Sequence, residues 1–282
     1  MVGLVWVINA QGEKEEFDAQ KVFRTSMRAG ASREAAKKIA SEVASRARDG
    51  MRTRDILKLA LRLLSRAGEE RAAAKYDLKG AIMRLGPAGF PFETFFAEIL
   101  REHGYKTATR QIVEGNCIPH EIDVVAESPD GLRYLVECKY RNYAGEYIKV
   151  KDALYTYARF EDVCDGAKNG KCRAFNRIWL ATNTKFSSDL ERYAECKGIR
   201  LTAWSRPEGE SLSELIERKR LYPITVLKSV DGFAQKRLSF ASIMLCRDLA
   251  GMTAAELRDA SGMPKNKAAL IVEEAKVVCG EP

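Results

Sequence analysis

Residues 120–141, HEIDVVAESPDGLRYLVECKYR, decide the fold of the middle of this chain. Glu121–Glu127 and Leu132–Tyr140 are rich in Val, Leu, Ile and Tyr, and Ser128-Pro129-Asp130-Gly131 between them has the residues of a tight turn. The pattern predicts a β-hairpin. Asp123 lies in its first strand, while Glu137, Cys138 and Lys139 close the second. Side chains alternate along a strand, so Glu137 and Lys139 share a face, and a suitable register sets Asp123 beside them. Two carboxylates and an ammonium on one face are costly to bury unless something joins them. A hard divalent cation does so, Mg²⁺ above all, because it sits on one or two carboxylates and keeps water and phosphate as its other ligands. Lys139 then orients or deprotonates a water for attack on phosphorus. An exposed ion pair on a half-buried strand is the plainer reading of the same triplet.

Upstream, Gly89-Phe90-Pro91-Phe92-Glu93, Ala97-Glu98-Ile99-Leu100 and Gly104-Tyr105 read as a helix that ends at a glycine. Together with Ile122-Asp123 and Glu137-Cys138-Lys139, this helix and hairpin resemble the core of the PD-(D/E)xK nucleases, in particular the Mrr-like restriction enzymes and the archaeal Holliday-junction resolvases. The resemblance implies a restriction-endonuclease-like α-β-β-β-α-β core over residues 86–220, with one further α-β unit. It implies a metal-dependent endonuclease acting on DNA, with Mg²⁺ or Mn²⁺ held by Asp123, Glu137 and Glu93 and by the carbonyl of Cys138, and Lys139 as the catalytic amine. Glu98 is the lesser candidate for the helix position. Relatives place a Gln on the helix after the hairpin and a Tyr four residues later, where this chain has Lys151 and Tyr155. Glu121, on the face of Asp123 by strand alternation, is a candidate outer carboxylate, and His120 a candidate phosphate contact. Relatives often dimerise, so the resemblance allows a homodimer. A fold that binds nucleic acid or nucleotide without cleaving, or a nuclease for RNA or branched DNA, is the alternative.

The first 85 residues have another character. Val5–Ile8 reads as a strand, Gln11-Gly12 as a turn, and helical periodicity follows through Lys21–Ala29, Arg33–Ala47, Thr53–Arg66 and Glu69–Leu85, with Asp18, Ser32 and Thr53 as caps. Val7, Gly12, Phe17-Asp18, Lys21-Val22, Ser26, Ala29-Gly30, Gly50, Thr53, Asp55-Ile56, Ala74 and Tyr76 resemble an ATP-cone, a regulatory nucleotide-binding module. That implies ATP or dATP as an effector, met by Lys21 and Thr53. The Lys-Arg pair that the family places before the first turn is replaced by Asn9 and Ala10. Residues 221–282 read as a tail of short helices. Within it Ser261-Gly262-Met263-Pro264, with Lys265 and Lys267, resembles half of a helix-hairpin-helix, a phosphate-holding module.

The fold expected is therefore α+β or α/β, in three parts: 1–85, 86–220 and 221–282. Net charge is +8 over 282 residues. The excess sits in residues 1–82, with 17 basic and 11 acidic side chains, whereas 83–220 is nearly balanced at 22 and 21. A locally basic run from Arg141 to Lys185 follows the hairpin and suits phosphate contacts. No apolar run has the length of a membrane span and no secretory leader is visible, so neither membrane insertion nor export is expected. Seven scattered cysteines without a CxxC, and only two histidines, argue against zinc and for a reducing cytoplasm.

Overall fold

The computed structural model describes residues 4–86, 90–143 and 145–279. Residues 87–89, next to the boundary expected between 85 and 86, lie outside them. The chain forms two compact units, one of residues 1–81 with 222–282 and one of residues 82–221. It is an α+β protein whose larger sheet is mixed.

The N-terminal segment opens with a hairpin of β1 (Trp6–Ile8) and β2 (Lys14–Glu16). Asn9 closes it, its side-chain oxygen accepting the amides of Gln11 at 2.9 Å and Glu13 at 3.0 Å. α1 (Ala19–Arg28) starts at Asp18, whose carboxylate accepts the Gln20 amide, and α2 (Arg33–Arg46) at Ser32, whose hydroxyl accepts that of Ala35. α3 (Thr53–Arg66) begins at its expected cap, so Thr53 is the first helical residue and Arg52 flanks it. The single helix expected over Glu69–Leu85 is instead α4 (Glu70–Tyr76) and α5 (Leu78–Met83), parted at Asp77. The Asp77 carboxylate lies where a Cβ on Gly80 would come within 2.2 Å, so a larger residue there would displace that side chain.

The second unit begins with α6 (Phe90–Glu102) and the strands β3 (Lys106–Glu114), β4 (Pro119–Glu127) and β5 (Arg133–Lys139). The β4–β5 turn is the one expected, with Leu132 donating to the Ser128 hydroxyl and Gly131 at φ 84°. Then come β6 (Tyr147–Ile148), α7 (Val150–Lys168), β7 (Arg177–Thr182), β8 (Lys185–Phe186), α8 (Ser188–Lys197), β9 (Arg200–Thr202) and α9 (Leu212–Lys219). The helix after the hairpin begins only at Val150, because Tyr147 and Ile148 pair with β8 and the Lys149 amide donates to the Asp152 carboxylate. The sheet order is β3-β4-β5-β7-β9, antiparallel through the first three strands and parallel thereafter. On one face α6 brings Phe96 against Trp179, which also meets Tyr105 and Tyr134. On the other, Ile178 and Leu180 pack with Ala153 of α7 and with Leu190 and Ala194 of α8.

The C-terminal segment comprises a 3₁₀ turn (Ile224–Val226), α10 (Gly232–Phe240), α11 (Cys246–Ala250), α12 (Ala254–Ser261) and α13 (Lys265–Cys279). These helices are part of the same compact unit as residues 1–81. Thr225 donates to the Ala81 carbonyl at 2.6 Å, and Lys75 stands over the Tyr222 ring. Two of the cysteines expected to be free are bonded, Cys246 to Cys279, since the two helices bring their Cα atoms to 6.0 Å. Lys267 pairs with Asp231 at 2.5 Å, and Arg237 donates to the Gly262 carbonyl.

Gly166 of α7 lies against the β3–β4 connection, where an added Cβ would stand 2.7 Å from the backbone carbon of Gly115. The three atoms it would meet, on Glu114, Gly115 and Asn116, are all backbone and cannot give way. Gly166→Ala should therefore destabilise the second unit by about 1–3 kcal/mol, measured by urea denaturation; an unchanged midpoint would disprove the close approach.

Candidate functional site

The β4–β5 ladder runs from Glu127↔Arg133 to Val124↔Val136 and ends there. One step further the register would set Asp123 opposite Glu137. Instead the Cys138 amide donates to the Asp123 carboxylate at 2.7 Å, so a side chain takes the place of a backbone acceptor and the strands diverge. β4 also turns over at this point. Ile122 and Val125 belong to one core cluster with Leu135 and Val163, although residues three apart face opposite sides of a regular strand. On the β3 side the ladder pairs Thr109 with Val124 and Gln111 with Ile122. Arg110, which falls between them opposite Asp123, has φ 49°. A left-handed arginine costs about 1–2 kcal/mol, and such strain concentrates at functional positions.

Glu137 is 3% exposed. One of its oxygens is 2.5 Å from Lys139 Nζ and the other 2.7 Å from Arg159 Nη1. Arg159, on α7, also donates to the carbonyl of Glu121. One guanidinium thus reaches both strands beyond the point where their own pairing stops. Buried carboxylates demand such partners, since an unpaired one would lose its solvation with nothing in return.

Glu93 projects from the first turn of α6 and is 8% exposed. Burial pushes its carboxyl up to about 7, with the charges of Asp123, Glu121 and Glu137 adding to the rise and Arg110 opposing it. Asp123 is raised to about 6, first by burial and then by Glu137, against the Cys138 amide, Lys139 and Arg159. Burial alone would pull the Lys139 ammonium down, but Glu137 and Asp123 outweigh it and hold it above the ordinary lysine value. Burial drives the Cys138 thiol well up, so that it stays neutral.

Glu93, Asp123, Glu137 and Lys139 therefore act on one another electrostatically, with the charge of Glu121 felt by Glu93. Glu98 instead pairs with Arg101. His120 is engaged elsewhere: its Nε2 lies 2.8 Å from Asp162, which also accepts the Cys117 amide and pins the β3–β4 connection to α7. Lys151 and Tyr155 are exposed on α7, two turns and one turn before Arg159, and the Tyr155 ring centroid is 5.5 Å from the Arg159 guanidinium. Cys138 enters the cluster through its amide. Among the described residues, no three His, Cys, Asp or Glu side chains stand together at metal-binding spacing. In the other unit Lys21 is exposed near Glu15, Thr53 is half-buried, and Asn9 is committed to its own turn. A cavity of about 420 Å³ there is lined by Gln20, Phe23, Arg33, Lys37 and Ser41 among others, a set that does not include Lys21 or Thr53.

Arg110 and Arg159 complete the cluster, and neither stood out in the sequence as part of it. Arg159 had a signal, since it continues the four-residue spacing of Lys151 and Tyr155. Arg110 had none, because Thr109-Arg110-Gln111 reads as plain strand.

An α+β unit with a buried cluster of acids and cations at the point where two strands part is thus the setting for comparison with known proteins. The chain belongs to the AF1548-like family. Residues 222–279 match the family model described as AF1548-like, C-terminal. An uncharacterized protein of Archaeoglobus fulgidus is 46% identical over 184 residues, which are 65% of this chain and 99% of that protein. A crystal structure of AF1548, described as a protein of unknown function, is similar with a TM-score of 0.61 and 44% identity, covering 69% of this chain and all of that one.

Because the folded pKa of Glu93 lies above its ordinary value, the folded state holds an extra proton between pH 4.5 and about 7. Stability present below that window is lost as pH rises through it. In EDTA, Glu93→Gln should remove this slope and stabilise the protein above the window by on the order of 2–3 kcal/mol. Urea denaturation across the pH range reads it, and parallel curves for the two proteins would contradict the assignment.

Proposed function

We propose that the chain is a divalent-cation-dependent phosphodiesterase that cuts DNA, with residues 82–221 as a PD-(D/E)xK nuclease unit of the Mrr-like and Holliday-junction-resolvase-like kind. The observation that carries this is the meeting of Glu93, Asp123, Glu137 and Lys139 where β4 and β5 diverge.

The donor set suits Mg²⁺ or Mn²⁺, which need only one or two protein carboxylates when water and phosphate complete the shell. Asp123 and Glu137 would hold the ion with Glu93 beside them, and the ion would supply charge stabilisation at phosphorus. The balance of charge supports the same reading. Glu93, Glu121, Asp123 and Glu137 face Arg110, Lys139 and Arg159, which leaves one excess negative charge when all are ionised. A divalent cation and one phosphodiester together bring that to zero. The pKa values of Asp123 and Glu93 are raised first by burial and then by the neighbouring acids, and a bound cation would offset both.

Lys139 stays an ammonium beside Glu137. Its role is to orient the attacking water and to meet the charge that develops on the phosphate, rather than to remove a proton. Arg159 fixes the Glu137 carboxylate through its second oxygen. Arg110 stands near Glu93 and compensates part of the acidic charge.

A second reading, binding without cleavage, is favoured by the pairing of both Glu137 oxygens with protein cations. Plasmid, single-stranded and branched DNA incubated with the full chain and Mg²⁺ or Mn²⁺ separate the two. Cleavage that falls about 10²–10³-fold in Asp123→Asn and in Lys139→Ala is expected. Tight binding with no cutting under either metal would sink the nuclease reading. Regulation by ATP or dATP rests on the ATP-cone resemblance of the N-terminal segment and on Lys21 and Thr53. Calorimetry should show saturable binding that weakens in Lys21→Ala, and no heat of binding would remove it.

A further inference from the structure

The chain has ten tyrosines. Among the described residues three are fully in the exposed class: Tyr143 at 72%, Tyr147 at 42% and Tyr155 at 62%. All three fall within residues 143–155, a stretch that begins four positions after Lys139. Single exposed apolar groups need no explanation, but three exposed rings within thirteen residues, one of them 5.5 Å from the Arg159 guanidinium, are a surface with a use.

The backbone places Tyr147 and Tyr155. β6 alternates, so Ile148 is buried and Tyr147 points outward, where Lys185 of the neighbouring strand comes within 5.7 Å of its centroid. On α7, Lys151, Leu154 and Tyr155 are exposed on one stripe, as their spacing of three and four requires. The stripe continues inward to Arg159, whose guanidinium lies 5.5 Å from the Tyr155 ring and bonds Glu137. A path of ring, guanidinium and carboxylate thus leads from solvent into the candidate site.

Flat π faces interleaved with cations are the chemistry that holds unpaired nucleobases, the rings by stacking and the cations through phosphate. Inside a duplex the base faces are already stacked on each other and are closed to a tyrosine at the side. Resting on the nuclease reading for what happens at Glu137, we infer that Tyr143, Tyr147 and Tyr155 form a stacking platform for unpaired bases next to the scissile phosphate. The substrate is then DNA with a single-stranded segment, with Lys151 and Lys185 as phosphate contacts. Charge complementarity and continuity with the carboxylate cluster favour this occupant.

Fluorescence anisotropy of the full chain in EDTA tests the inference without any need for cleavage. The probes are a short labelled single strand, its blunt duplex, and the same strand with a central run of abasic sites. The single strand should bind more tightly than either of the others. Tyr155→Ala should weaken single-strand binding roughly 5- to 100-fold, with a further loss on adding Tyr147→Ala, and Tyr155→Phe should retain it because the ring remains. Equal affinity for the abasic strand, preference for duplex, or unchanged binding by the alanine variants would overturn the platform. The Phe variant shows whether a loss reflects the ring or a disturbed fold. Base-dependent binding with no cleavage under any metal would remove the proposed activity and leave the platform; cleavage with base-independent binding would do the reverse.

Discussion

Where β4 and β5 stop pairing, the amide of Cys138 turns to the side chain of Asp123, and the arrangement of the second unit follows from that exchange. A buried backbone N–H must find an acceptor, so parting two strands inside a sheet is tolerable only if something replaces the lost carbonyl. A carboxylate is a stronger acceptor than the carbonyl it replaces. The result is a gap in the sheet whose inner wall already carries a negative charge. The turnover of β4 at Asp123 and the left-handed Arg110 beside it belong to the same irregularity.

Once a carboxylate is held there, the neighbours are constrained. Glu137 needs cations, and Lys139 and Arg159 take one oxygen each. Arg159 reaches the Glu121 carbonyl as well, so α7 braces both strands across the gap. Glu93 approaches from α6, where burial first and the neighbouring acids second raise its pKa against the pull of Arg110. Burial of so many ionisable groups does little for stability by itself, because desolvation offsets most of the attraction between them. Such clusters are kept for what they bind or do more often than for what they stabilise.

The other unit makes a different point. The first 81 residues and the last helices, far apart in the chain, share one compact body, with Thr225 bonded to the Ala81 carbonyl. The 221–282 segment looked like a separate tail because helical periodicity reveals which face is apolar but not which partner covers it. The same limit hid the Cys246–Cys279 bond, since pairing depends on where two helices end in space and not on their spacing in the chain.

Much that is local was legible in the residues themselves. The Ser128–Gly131 turn, the caps at Asp18 and Ser32, and the shared face of Glu137 and Lys139 follow from turn chemistry and a two-residue period. Glu93 and Glu98 lie on the same helix but differ, Glu93 feeling the charges of the other acids and Glu98 pairing with Arg101. Placing His120 at the site failed because Asp162, forty-two residues on, is the nearer charge. Glu121 meets the site through its charge, which acts on Glu93, and the turnover of β4 beside it shows only in the packing of Ile122 and Val125 against one core. The sequence by itself thus determined the elements, their caps and the chemistry available to them, because those depend on neighbours within a few residues. Only the tertiary structure decided which acids share a gap, which arginines neutralise them and which helices share a core, because burial and Coulomb energy depend on distance in space and not along the chain.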